Sequence, residues 1–136
     1  MKKSLTLLLL AVICSHAWAQ TPAKSKQERR KNLVVREYNQ RAGSTERVLD
    51  NVVTYDALGR KIEEIEYASY GQKRRSVYKY QGENLKCHEE VEYNDKNKVK
   101  CIKRYEYNDD GTKKRQYTYS TKGKLKSTKE FEYSYK

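Results

Sequence analysis

Residues 85–107 read Leu-Lys-Cys-His-Glu-Glu-Val-Glu-Tyr-Asn-Asp-Lys-Asn-Lys-Val-Lys-Cys-Ile-Lys-Arg-Tyr-Glu-Tyr, and this stretch decides the fold. Leu85, Cys87, Val91 and Tyr93 fall on one side of a two-residue alternation, with Lys86, His88, Glu90 and Glu92 on the other, as in a half-buried strand. Asn94 is a turn-initiating side chain and Asn97 a residue that tolerates positive φ. Alternation then resumes, Val99, Cys101, Tyr105 and Tyr107 against Lys100, Arg104 and Glu106. The spacing predicts two strands joined by a three-residue turn centred on Lys96. That turn sets Tyr93 against Val99, Val91 against Cys101, Glu89 against Lys103, Cys87 against Tyr105 and Leu85 against Tyr107. Apolar side chains meet apolar ones, and the one charged couple is of opposite sign.

The same unit recurs along the chain, restarting about every thirteen residues at Tyr38, Tyr55, Tyr67, Tyr80, Tyr93, Tyr107, Tyr119 and Tyr133. Four residues after six of these tyrosines stands a residue suited to positive φ: Gly59, Gly71, Asn84, Asn97, Gly111 and Gly123, while Gly43 follows Tyr38 one residue later. No proline occurs after Pro22 to interrupt a ladder. The shorter tyrosine spacings call for two-residue loops at Tyr70-Gly71 and Gly82-Glu83, which place Tyr80 opposite Leu85 and Tyr78 opposite Cys87. The pattern thus predicts an all-β antiparallel meander of about eight strands in a single twisted sheet, with a Tyr/Val/Leu face and a Lys/Glu face. A curled up-and-down barrel, closed by joining first strand to last, is the alternative. Glu89, Lys103, Arg115 and Lys129 interrupt the apolar face, and Arg115 falls opposite Lys129 as a like-charge couple.

At Tyr55-Asp56-Ala57-Leu58-Gly59-Arg60-Lys61 the chain resembles the Tyr-Asp unit of the RHS and YD-repeat proteins. Residues 93–99, 107–111 and 119–125 are weaker versions of it. The resemblance implies β-hairpin repeats on an exported protein, in a family proposed to contact carbohydrate. In size, signal and Lys/Tyr-rich repeats the chain is also similar to uncharacterised small exported proteins of gut Bacteroidales.

The first residues read as a signal peptide: Lys2 and Lys3, an apolar run over residues 5–13, then Ala17-Trp18-Ala19. Cleavage after Ala19 assigns residues 1–19 to the signal, 20–32 to a flexible basic leader and 33–136 to the β-repeat domain. The apolar run is too short for a transmembrane helix, and Ile13 before Cys14 argues against a lipid anchor. The expected location is therefore periplasmic or secreted.

Export to an oxidising compartment raises the question of a disulfide between Cys87 and Cys101. The meander offsets them by four residues on neighbouring strands, about 13 Å at ~3.3 Å per residue. A disulfide needs Cα atoms within roughly 7 Å, so free thiols are expected.

The chain carries a formal net charge of +12, with 30 basic and 18 acidic residues. Thirteen tyrosines and a single phenylalanine supply most of its aromatic surface. Common catalytic routes are poorly provided for. His88, on the charged side of a strand, is the one histidine left after signal removal. Glu63-Glu64 and Glu89-Glu90 are adjacent pairs, which a strand points to opposite faces. No zinc-like spacing occurs, so no cofactor and no metal are expected. Basic residues interleaved with tyrosine are the stronger signal: Arg74, Arg75, Tyr78, Tyr80, Lys103, Tyr105, Arg115 and Tyr117 form the expected binding set. Export argues against nucleic acid as the partner and leaves an envelope glycan or a partner protein. The simplest role for the charge is to keep an open sheet soluble. The expected function is an exported, non-catalytic binding or structural module of the bacterial envelope. A binder of anionic polymer or glycan through the Lys/Tyr face and a glycan-acting envelope enzyme are the alternatives.

Overall fold

A computed structural model describes residues 22–136. The expected signal peptide lies outside the described residues. A short 3-10 turn, Glu28–Arg30, precedes eight strands: β1 (Val34–Gln40), β2 (Arg47–Tyr55), β3 (Lys61–Ala68), β4 (Gly71–Tyr80), β5 (Cys87–Tyr93), β6 (Val99–Tyr107), β7 (Lys113–Tyr119) and β8 (Leu125–Glu130). They lie in one antiparallel sheet in sequence order, β1 through β8. The sheet is open, so the barrel alternative does not hold: β1 and β8 are its two edges.

The turns are built from local chemistry. At residues 94–98 the Asn94 side-chain oxygen accepts the N–H groups of Lys96 (3.0 Å) and Lys98 (2.9 Å), and Asn97 sits at φ 57°. Six of the seven residues expected at positive φ adopt it, and the exception, Asn84, lies in a loop that departs from the expected two-residue turn. Gly82 takes the left-handed conformation there instead (φ 54°), and β4 and β5 are joined by residues 81–86 with Tyr80 opposite Cys87. Neither the Tyr80–Leu85 nor the Tyr78–Cys87 pairing forms. The β3–β4 loop also moves back by one, to residues 69–70, with Ala68 opposite Gly71.

Every hairpin contains a one-residue register shift, close to its turn except in β1–β2, where it falls mid-strand between Glu37 and Tyr38, and this feature overturns the expected faces. Between β5 and β6, Tyr93 pairs with Val99 as expected, but Glu92 then pairs with Cys101 and Val91 with Ile102. A bulge inserts one extra residue and slips the ladder by one, so residues beyond it meet new partners. Glu89 accordingly faces Arg104, and Glu90 faces Lys103. Between β7 and β8 the same slip places Arg115 opposite Glu130 and Gln116 opposite Lys129. The like-charge couple disappears, replaced by an ion pair of 2.8 Å.

Partners across an antiparallel ladder share a face, so the registers define two. The back carries a row running over the whole sheet: Val34, Thr54, Glu63, Val77, Val91, Ile102, Tyr119 and Leu125. The front carries Val53, Glu64, Ser76, Glu92 and Cys101 in one row, and Tyr78, Glu90, Lys103 and Thr118 in the next. Each face therefore mixes apolar and charged side chains, in place of the expected Tyr/Val/Leu and Lys/Glu division.

The core is thin. Among the described residues Val53 on the front and Val91 on the back are the buried apolar ones, joined by Ser76 and Glu92. Long charged side chains cover what one layer leaves open. On the back, Arg75 bonds Glu63 at 2.6 Å and lies 5.1 Å from the Tyr93 ring centre. Arg104 bonds Glu89 at 3.0 Å and lies 5.2 Å from that of Tyr119. On the front, Glu92 is held between Lys100 (2.8 Å) and Lys103 (3.5 Å). Burial pushes the Glu92 carboxyl upward, but the Lys100 ammonium and then Lys103 outweigh it and hold the group below its ordinary range.

Candidate functional site

The β2–β3 turn organises a basic groove on the front. Asp56 closes the turn by accepting, on one carboxylate oxygen, the N–H groups of Leu58 and Arg60, both at 2.9 Å. Its other oxygen takes the Arg60 guanidinium at 2.7 Å. The rest of that guanidinium reaches the neighbouring loop, donating to the carbonyls of Gly82 (2.7 Å) and Asn84 (3.1 Å), and lies 4.6 Å from the Tyr80 ring centre. Arg60 thus ties two adjacent turns together.

Residues 25–32, read as part of a flexible leader, fold onto the same turn. Ser25 and Glu28 exchange bonds, Ser25 N–H to Glu28 at 3.0 Å and Glu28 N–H to the Ser25 hydroxyl at 3.2 Å. Gln27 donates its side-chain amide to the Leu58 carbonyl at 2.9 Å, and Asn32 N–H bonds the Asp56 carbonyl at 2.9 Å. Docking this close requires glycine at position 59: a Cβ there would lie 2.3 Å from the Gln27 carbonyl oxygen.

Between the docked segment and the β4–β5 loop lies an open groove of about 640 Å³. Tyr55 and Tyr80 form its aromatic lining, and Lys26, Arg30, Arg60, Lys61 and Lys86 supply positive charge, with no carboxylate side chain in the lining. Arg30 lies 5.0 Å from the Tyr55 ring centre. Arg60 and Lys61 are ion-paired, to Asp56 (2.7 Å) and Glu64 (2.9 Å). Lys26, Arg30 and Lys86 have no ion-pair partner among the described residues. Burial disfavours the Lys61 ammonium, but Glu64 and Tyr78 more than compensate and raise it above its ordinary value. Burial pushes the Tyr80 phenol up to about 12, so it stays protonated and donates to the Lys61 carbonyl at 2.7 Å.

The expected binding residues do not form one surface. Tyr80 lines the groove and Tyr78 stands beside it, its ring 4.5 Å from the Lys61 ammonium. Lys103 and Tyr105 belong to a second front cluster, in which the Tyr105 hydroxyl donates to Glu90 at 2.6 Å and Lys103 approaches the same carboxylate at 3.4 Å. Burial first, and then the Glu90 carboxylate, hold the Tyr105 phenol well above its ordinary value. Arg74 pairs with Glu66 on the front. Arg75, Arg115 and Tyr117 lie on the back, paired to Glu63, to Glu130 and Glu106, and to Glu106 respectively. The groove cations Lys26, Arg30, Arg60, Lys61 and Lys86 lay outside the expected set. The basic 20–32 segment and the Arg60-Lys61 pair closing the Tyr-Asp unit both stand out in the sequence, but nothing local connects them.

The chemical candidates are also separated. Glu63 bonds Arg75 on the back while Glu64 bonds Lys61 on the front, and Glu89 and Glu90 divide in the same way. His88 borders a smaller cleft of about 320 Å³ with Arg104, Glu106, Tyr117 and Tyr119. Its Nδ1 is buried without a hydrogen-bond partner. Among the described residues no three His, Cys, Asp or Glu side chains gather as a metal site, and no helix is long and apolar enough to cross a membrane.

No protein-family model matches the chain. No curated protein matches it either. Among solved structures it is similar to part of a mutant of S. aureus TarM, crystallised with fondaparinux, alpha-GlcNAc-glycerol and UDP, at 20% identity and a TM-score of 0.31. That likeness covers 72% of this chain and 17% of the other, and carries no argument about function.

Proposed function

We propose that the protein is an exported, non-catalytic binding module whose groove between the docked 25–32 segment and the β4–β5 loop takes an extended anionic polymer, such as an acidic or phosphorylated envelope glycan. The observation that carries this reading is the composition of the groove: five cations and two tyrosines, with no acidic side chain in the lining. Elsewhere on the sheet seven cations are ion-paired to glutamate, Arg74, Arg75, Lys79, Lys100, Lys103, Arg104 and Arg115. Three unpaired cations with aromatic walls offer an anion charge and a stacking surface together. An open groove suits a chain passing through it better than a small enclosed molecule.

The test is binding of the purified protein to dextran sulfate and polyphosphate, with uncharged dextran as control, across a salt series. The triple variant K26A/R30A/K86A is expected to lose about tenfold or more in affinity for the charged polymers, with a shallower dependence on salt. K122A/K124A, in the distant β7–β8 turn, removes two charges and serves as control. Equal losses in both variants, or equal binding of uncharged dextran, would overturn the proposal.

A further inference from the structure

The two edges of the sheet are complementary to each other in one register. Among the described residues β1 is bonded only to β2, and β8 only to β7. All residues of β8 are exposed, as are all of β1 except Val35. Which backbone groups face outward follows from the bonds already made. The Leu33 carbonyl accepts the Tyr55 N–H at 2.9 Å, so along β1 the alternation of an antiparallel ladder turns Val34, Arg36 and Tyr38 away from β2. Phe131 N–H bonds the Lys114 carbonyl at 3.1 Å, which turns Glu130 and Thr128 away from β7.

Strand direction alternates through the meander, so β8 of one molecule runs antiparallel to β1 of another when the second sheet continues the first. Outward-facing residues must then oppose each other, which allows only registers separated by steps of two. One of these sets Arg36 opposite Glu130 on the back, Glu37 opposite Lys129 on the front, and Val35 opposite Phe131. A step one way keeps one couple of opposite charge, Arg36 with Glu132, but leaves Glu37 facing Phe131 and Lys129 facing Asn39. A step the other way sets Val35 against Lys129 and Val34 against Glu130. The first register alone forms two couples of opposite charge and one apolar couple.

We propose that a second copy of this chain docks edge to edge, β8 of one molecule against β1 of the next, in that register. The two edges are different surfaces, so each added copy presents a fresh edge and the assembly grows as an open row. Eight strands at ~4.8 Å give a repeat of about 38 Å, with the basic groove recurring on the same face. Lys126 and Lys129 disfavour indiscriminate pairing at the β8 edge, and Glu37 gives Lys129 its partner. This association stands independently of what the groove binds.

Sedimentation velocity over a concentration series tests it. The expected result is a weight-average mass that rises steadily with concentration. Lys129→Glu places carboxylate against carboxylate and Glu37→Lys places ammonium against ammonium. Each single variant is expected to weaken association about tenfold, and the double variant E37K/K129E to restore it. Circular dichroism of each variant verifies that the monomer is folded. A wild-type protein that stays monomeric throughout, or one that stops at a closed dimer, overturns the proposal. So do single variants that associate like wild type, and a double variant that does not recover.

Discussion

Replacing Asp56 with alanine removes the side chain on which the β2–β3 turn is closed. Two backbone N–H groups, of Leu58 and Arg60, lose their 2.9 Å acceptor, and the Arg60 guanidinium loses its 2.7 Å partner. The pair is largely covered, with the Asp56 and Arg60 side chains 20% and 15% exposed. A hydrogen bond to a charged group contributes about 1.5–3 kcal/mol when covered and less where water replaces it. Two freed N–H groups at a turn regain water, so the net loss is about 2–4 kcal/mol. Asp56→Asn keeps an acceptor for the backbone and loses only the charge, for about 1–2 kcal/mol. Urea unfolding followed by far-ultraviolet circular dichroism reads both values, with an unchanged slope showing that stability alone has moved. The pH dependence adds an independent check. Burial pushes the Asp56 carboxyl up, but the Arg60 N–H, the Arg60 side chain and the Leu58 N–H together hold it below its ordinary value of 3.8. Its contribution is therefore complete above that value and is lost as pH falls through the lower folded value. The gap between wild type and Asp56→Asn should close in acid. A loss below about 0.5 kcal/mol for Asp56→Ala, against the ~1 kcal/mol of an ordinary hydrogen bond, would refute the account of the turn.

Two further outcomes follow from the packing. Gly59→Ala and Gly123→Ala both place alanine at positive φ (74° and 77°), but only the first brings a Cβ to 2.3 Å from the Gln27 carbonyl. Gly123→Ala should cost about 1 kcal/mol of backbone strain. Gly59→Ala should cost more and release the 25–32 segment, read as faster proteolysis ahead of residue 33. Cys87 and Cys101 are free thiols, and burial raises both above their ordinary value. In protein prepared without residues 1–19, Ellman's reagent should count two thiols in denaturant and react far more slowly with the native protein, where little thiolate is present.

Much of the architecture was legible because the signals that define it are short in range. A side chain such as Asn94 bonds N–H groups two and four residues ahead of it, so its turn is written within five consecutive residues. The separation of Cys87 from Cys101 was legible too, since a four-residue offset survives a one-residue slip: Cys87 faces Tyr80 and Cys101 faces Glu92. Arg115 is the position that the short-range signals misplace. Its apparent conflict with Lys129 pointed to a missing register slip, and its ion pair with Glu130 shows what that slip achieves. The groove was hardest to foresee, because Tyr80 alone among the expected binding residues lines it.

The tyrosine spacing, the turn residues and the two-residue alternation by themselves determined that this chain makes eight strands in meander order, since each of those signals acts between residues close in sequence. Only the tertiary structure decided which side chains share a face, because one inserted residue per hairpin reverses the phase of every position beyond it. It also decided where the basic surface lies. Lys26 and Lys86 line the same groove only because Gly59 leaves room for the Gln27 backbone and Arg60 reaches across to the Gly82 carbonyl.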